Sequence, residues 1–186
     1  MFETTRRHIF LAGFMGTGKS AVGRAVAAKL GWSFIDLDEF VESMCHRSIP
    51  ELFRIEGETA FRKYESRALR LTVISPRSVI ALGGGTPLRL ANASIIRATG
   101  WAWHLTASWD VIWNRVRANL GVRPMLAEVI RNTGVREPSL QEFIALAQPM
   151  LDSREVAYRR IADHTIDTSD KTIDQLARTI AEGILS

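Results

Sequence analysis

Apolar positions in this chain recur at two alternating spacings. His8-Ile-Phe-Leu-Ala12 is a short apolar run and predicts a buried strand. From Ser20 to Leu30 the stripe Val22, Val26, Leu30 has helical spacing, and Gly31 supplies the stop. Trp32–Asp36 predicts a second strand, and Glu39–Met44 a short helix. Ser48 and Glu51 make a capping box with Pro50 in its first turn. A longer helix is expected from Glu58 to Leu71, with Phe61 turned to the core. Ser78–Leu82 is the third strand. Trp101-Ala-Trp-His-Leu105 alternates and is the fourth, its tryptophans read as core. Ser108 opens a helix reaching about Asn119. After Pro138, Ser139 and Glu142 form another capping box, and Pro149 should kink or break the helix that follows. His164–Thr168 is the last strand, and Ile173, Leu176, Ile180 and Ile184 give the closing helix one apolar face.

Strands alternating with helices predict a three-layer α/β fold on a parallel, five-stranded sheet. Between the first strand and the first helix stands Gly13-Phe-Met-Gly-Thr-Gly-Lys19-Ser20, which fits the phosphate-binding P-loop pattern G-x-x-x-x-G-K-[ST]. Gly13, Gly16 and Gly18 let the backbone turn tightly and come close to a ligand. The N–H groups of the loop, Thr17 included, form a nest for phosphate oxygens. Lys19 supplies a point charge to the β- and γ-phosphates, and the Ser20 hydroxyl suits Mg²⁺. Strand, loop and helix follow in the required order, with the helix N-terminus facing the anion.

Other candidates carry competing readings. Asp36 and Asp38 end the second strand, where ligands of open α/β sheets bind. Asp36 suits Mg²⁺, often through water, and Asp38 a substrate; the alternative is a solvated strand end with Asp38 capping the next helix. Arg62 lies one turn after Glu58 and three residues before Glu65, so a surface ion pair is one account and a substrate carboxylate the other. Gly83, Gly84 and Gly85 follow a strand, either as a close approach to a ligand or as a loose turn. Arg115, Arg117 and Arg123 bracket Asn119-Leu-Gly-Val. Arg123, beside Gly121 and Pro124, reads as a moving clamp or as part of a solvated basic loop.

Composition narrows the setting. At 186 residues the chain suits one domain, with a lid and insert at about 117–150. The net charge of +4, from 24 basic and 20 acidic residues, suits a polyanionic nucleotide, and no nucleic-acid-binding signature accompanies it. No apolar run approaches the roughly 20 residues that span a bilayer, and no signal peptide is evident. Cys45 is the only cysteine, which excludes an internal disulfide and makes a cytoplasmic location the default. The four histidines have no metal-ligand spacing.

The set GFMGTGKS, DLD, RSIPELF, GETAFRKYE and a strand leading into GGG resembles the shikimate kinases. The match runs in register over roughly the first 90 residues, then in patches. The resemblance implies a nucleoside-monophosphate-kinase-like monomer that uses ATP and Mg²⁺ to phosphorylate the 3-hydroxyl of shikimate, with no nucleic-acid or membrane partner. It makes Asp38 the substrate-contacting carboxylate and proposed base, Asp36 the residue near Mg²⁺, and Arg62 the reader of the acid's carboxylate. Gly83, Gly84 and Gly85 frame the substrate. Arg123-Pro-Met-Leu resembles the lid motif whose arginine closes over the phosphates, and Arg117 is placed on the nucleotide with it. Arg154-Glu-Val-Ala-Tyr158 resembles R-x-P-L-Y with two replacements, which makes Arg154 a second carboxylate-binding arginine and Tyr158 a packing residue. A kinase for another polyol acid such as gluconate, and a non-catalytic sensor on this fold, are the alternatives. The intact set Lys19, Ser20, Asp36 and Asp38 argues against a sensor.

Overall fold

The computed structural model describes residues 6–118 and 138–185. Five strands form one parallel sheet: β1 (His8–Gly13), β2 (Ser33–Asp36), β3 (Ser78–Ala81), β4 (Gly100–Thr106) and β5 (His164–Asp167), in the order β2-β3-β1-β4-β5. β1 lies at the centre with all six residues buried, so its sequence is an apolar run. β4, also flanked on both edges, is buried on both faces from Ala102 to Leu105; burial there takes in His104 as well as Trp103. The edge strands β2 and β5 keep exposed positions.

Among the described residues, seven helices cover the two faces: α1 (Lys19–Leu30), α2 (Leu37–Cys45), α3 (Ile49–Thr72), α4 (Leu90–Thr99), α5 (Trp109–Val116), α6 (Leu140–Ile161) and α7 (Ile173–Leu185). Ile9 and Leu11 of β1 pack with Val22 and Val26 of α1 and with Leu176 and Ile180 of α7. Phe10 and Ala12 point the other way, into Leu37, Val41, Leu52, Phe61, Leu69 and Tyr158. Phe61 is 4% exposed, in the core as expected. No helix among the described residues is long and apolar enough to cross a membrane.

Both capping boxes form, at Ser48–Glu51 and Ser139–Glu142. The helix expected from Glu58 meets the preceding helical segment at Gly57, whose non-helical backbone (φ 77°, ψ 173°) kinks α3 there. α6 continues through Pro149, so of the expected kink or break the break does not occur. A proline ring removes the N–H that would meet the carbonyl four residues earlier. Here that carbonyl belongs to Ala145, and both residues are on the exposed side, where water can take over the bond. The opposite side, with Phe143, Ala147, Arg154 and Tyr158 buried, holds the helix in place. Of the expected lid and insert, residues 140–150 form the start of α6, whereas Arg123 and the stretch 121–134 lie outside the described residues.

The chain steps from β1 to β2 on one side of the sheet, returns through β3, and only then crosses to β4. The crevice at that reversal opens at the carboxyl ends of β1, β2 and β3. The glycine loop, Asp36 and the triple glycine all emerge there.

Candidate active site

Residues 13–18 turn the chain from β1 into α1. Gly13 has φ +143°, and a Cβ there would strike the Leu105 carbonyl and lie 2.9 Å from Thr17 Oγ1. Gly16 and Gly18 also have positive φ, at 76° and 90°. Lys19 Nζ donates to the carbonyls of Gly13 (2.9 Å) and Phe14 (3.1 Å), so the ammonium rests across the loop. Ser20 Oγ donates to Asp36 Oδ2 at 2.6 Å. The other Asp36 oxygen accepts from the Asp38 N–H at 3.1 Å, so Asp36 caps α2. The capping role considered for Asp38 therefore belongs to Asp36, and the Asp38 side chain faces the cleft. Met15, Gly18, Lys19, Ser20, Asp36, Asp38 and Arg115 line a cavity of about 250 Å³.

The hydroxyl of Ser20 and the carboxylate of Asp36 are hard oxygen ligands meeting on one wall of that cavity. Among the described residues no cluster of three or more His, Cys, Asp and Glu could hold a metal ion. That sparse set fits Mg²⁺, which takes one or two protein oxygens and fills its shell with water and phosphate.

Arg115 was not among the expected site residues. Its Nη1 donates to the Gly16 carbonyl (3.0 Å) and to Thr168 Oγ1 (3.1 Å), and its Nη2 to the Thr168 carbonyl (3.0 Å). Thr168 Oγ1 in turn donates to the Thr17 carbonyl at 3.0 Å. The glycine loop is thus tied to the end of α5 and to the residue after β5. Arg117 sits exposed at the C-terminal cap of α5.

The second half of the cleft is built around the triple glycine. None of Gly83, Gly84 and Gly85 has a positive φ, so space and not backbone freedom explains them. A Cβ on Gly83 would lie 2.6 Å from both Asp38 Oδ1 and Glu65 Oε1. One on Gly84 would lie 2.8 Å from Arg154 Nη1, and one on Gly85 would run into the Arg62 guanidinium. Each glycine leaves room for a different charged side chain. The fold thereby gathers Asp38, Arg62, Gly83, Gly84, Gly85 and Arg154, drawn from α2, α3, the turn after β3 and α6.

Four further groups order this half: Glu65, Thr86, Asn92 and Tyr158. Glu65 is fully buried; Arg62 Nη1 donates to its Oε2 at 3.0 Å and Thr86 Oγ1 to its Oε1 at 2.6 Å. Buried Asn92 donates to the Thr86 carbonyl at 3.0 Å. Tyr158, fully buried, donates its hydroxyl to the Gly84 carbonyl at 2.7 Å, and burial pushes its pKa up to about 12, so the proton stays. Arg154 is 6% exposed beside it. The sequence pointed to Glu65 and Tyr158 only as helix-face and packing residues, and nothing in it singled out Thr86.

Asp38 is the group both halves share. Its pKa is pushed up to about 7, first by desolvation between the cleft walls, then by the carboxylates of Glu65 and Asp36, with Lys19 and Arg62 pulling the other way. A carboxylate poised near neutrality, beside a phosphate loop, is matched to accepting a proton at physiological pH.

That pairing of an anion nest with a tuned proton acceptor, on a parallel sheet, defines a P-loop phosphotransferase. Sequence comparison narrows the class: the shikimate kinase family model matches residues 15–185, and the chain belongs to that family. A shikimate kinase of Salinibacter ruber is 38% identical over 181 residues, covering 97% of this chain and 86% of that protein. One from Caldanaerobacter subterraneus is 38% identical over 174 residues, covering 94% of each. Among solved structures, the shikimate kinase of Acinetobacter baumannii in complex with shikimate aligns with a TM-score of 0.81 at 31% identity, over 98% of this chain and 94% of that one. The Bacteroides thetaiotaomicron shikimate kinase aligns with a TM-score of 0.82 at 29% identity, over 96% and 98%. The chain is an ATP-dependent kinase.

Proposed function

We propose that the chain transfers the γ-phosphoryl group of ATP to the 3-hydroxyl of shikimate, with the two halves of the cleft holding one substrate each. The observation that carries this reading is the position of Asp38, on the wall of the phosphate cavity and against Gly83 at once. The loop N–H groups and Lys19 take the β- and γ-phosphates, Lys19 leaving the Gly13 and Phe14 carbonyls to do so. Ser20 and Asp36 would hold Mg²⁺, Asp36 directly or through water, and the ion would offset phosphate charge. Arg62 and Arg154 receive the acid's carboxylate, and Gly83–Gly85 admit its ring beside the backbone.

Asp38 then lies against the hydroxyl. As the hydroxyl oxygen bonds to phosphorus, its proton passes to Asp38 and the bond to the β-phosphate oxygen breaks, releasing ADP. Most of the catalysis is positioning and charge neutralisation. Arg123 is assigned to the developing phosphate charge, in keeping with the family motif, and Arg117 to the nucleotide. Buried Arg154 and half-buried Arg62 beside a glycine run favour a substrate with a carboxylate on a compact ring over the open-chain gluconate.

The test is ADP release measured with shikimate, quinate and gluconate in turn. Turnover with shikimate well above the other two is expected. Faster turnover with gluconate, or ADP release that ignores the acid, would overturn the assignment.

A further inference from the structure

Arg62 is gripped by two carboxylates of very different standing. Glu65 is fully buried and holds Nη1 at 3.0 Å. Its second oxygen is pinned by Thr86 Oγ1 at 2.6 Å, and Thr86 is itself anchored by buried Asn92 at 3.0 Å. Glu58, one turn earlier on α3, takes the other edge of the guanidinium: Nε at 3.2 Å and Nη2 at 3.0 Å both donate to its Oε1. The Glu58 side chain is 52% exposed, against 1% for Glu65.

An incoming acid needs two parallel N–H donors from the same fork. Displacing Glu65 from Nη1 would strip a fully buried carboxylate of its cation, a heavy cost. Displacing Glu58 breaks a solvent-facing pair between residues one helical turn apart, and its carboxylate is rehydrated at once. We infer that Glu58 is a displaceable stand-in for the substrate's carboxylate: it occupies the Nε–Nη2 edge of Arg62 in the free protein and yields it when the acid binds, while Thr86-pinned Glu65 keeps the guanidinium in place. Glu58 thereby keeps Arg62 ordered before the acid arrives and weakens acid binding by competing for the same donors. This rests on the reading that Arg62 receives the acid's carboxylate.

The sign of the effect is unusual. Removing an acidic residue from the rim tightens binding of an acid, and removing the buried partner's support loosens it. Competition from an exposed helical ion pair corresponds to about a twofold effect. E58Q should lower the Kd for shikimate by about twofold in calorimetry and leave the Kd for ATP unchanged. Thr86→Val should raise the shikimate Kd about tenfold, since a hydrogen bond to a charged group is lost, and Thr86→Ser should restore it.

Methyl shikimate, an ester with no negative carboxylate, is the control probe: E58Q should leave its binding unchanged. Three results overturn the inference: weaker shikimate binding by E58Q, an equal gain for ATP, or an equal gain for the ester. R62K separates the two readings. If R62K binds shikimate as tightly as the unmodified protein, the carboxylate assignment itself fails. If R62K binds weakly and E58Q changes nothing, only the stand-in role of Glu58 fails.

Discussion

Asp38 should make the free protein less stable the more completely it ionises, and Asp38→Asn should reverse this. In the fold its pKa is about 7, against an ordinary 3.8, with desolvation as the leading cause. In the unfolded chain the carboxyl loses its proton near the ordinary value. Below about pH 4 both states are protonated and Asp38 costs nothing. Between about pH 4 and pH 7 the folded state must take up a proton that the unfolded state has released. Above about pH 7 it holds an anion where an anion is disfavoured. The favourable low-pH contribution is thus lost progressively as pH rises through 7, and the penalty is then constant.

A shift of about three units is a ceiling of about 4 kcal/mol, at about 1.4 kcal/mol per unit. Asp38 lines an open cleft beside a second carboxylate, so solvent screening and coupling reduce this to about 2 kcal/mol. For a chain of this size that is about 4–8 °C in Tm. The assay is thermal unfolding of both proteins in EDTA without nucleotide. At about pH 8 the asparagine variant should melt about 4–8 °C higher, and at about pH 4 the two should coincide within about a degree. Its kcat should fall by about 10²–10⁴, as expected for loss of a proton acceptor. A Tm gain of equal size at both pH values, or a lower Tm at pH 8, would refute the reasoning.

Lys19→Ala should abolish ADP release and leave the Tm within about 1 °C, because the ammonium lies across the glycine loop and not in the core; normal turnover would sink the phosphate-loop assignment. Gly85→Ala should raise KM for the acid at least about tenfold with KM for ATP unchanged, since its Cβ lands on the Arg62 guanidinium; an equal rise for both substrates would mean that the whole turn has collapsed.

The phosphate half of the cleft was legible because it is contiguous: residues 13–20 carry the glycines, the lysine and the hydroxyl in one stretch, bounded by a readable strand and helix. The acid half was not. Asp38, Arg62, Gly83 and Arg154 are scattered along the chain, and periodicity gave each a plausible surface or turn role. Family resemblance grouped them, and the packing of α3 and α6 against the glycine run supplies the physical reason. Arg115 and Thr168 escaped notice because their bonds to Gly16 and Thr17 span 99 and 151 residues, beyond the reach of any local pattern. The helix continues through Pro149 for a related reason: whether a proline ends a helix depends on which side of the helix faces water, and that is decided by tertiary packing.

That same proline gives α6 the character of a jointed lever. Upstream of it, Phe143 and Ala147 pack with Phe14 of the glycine loop and with Ile112 and Val116 of α5, and the Trp113 ring lies 5.2 Å from that of Phe143. Downstream, Tyr158 is bonded to Gly84, and Arg154 reaches the same glycine. A rod missing one rung on its outer side bends there at low energy, so strain entering at one handle is absorbed at the joint before it reaches the other. Under the proposed function, the nucleotide half and the acid half of the cleft therefore each rest against one arm of a single helix.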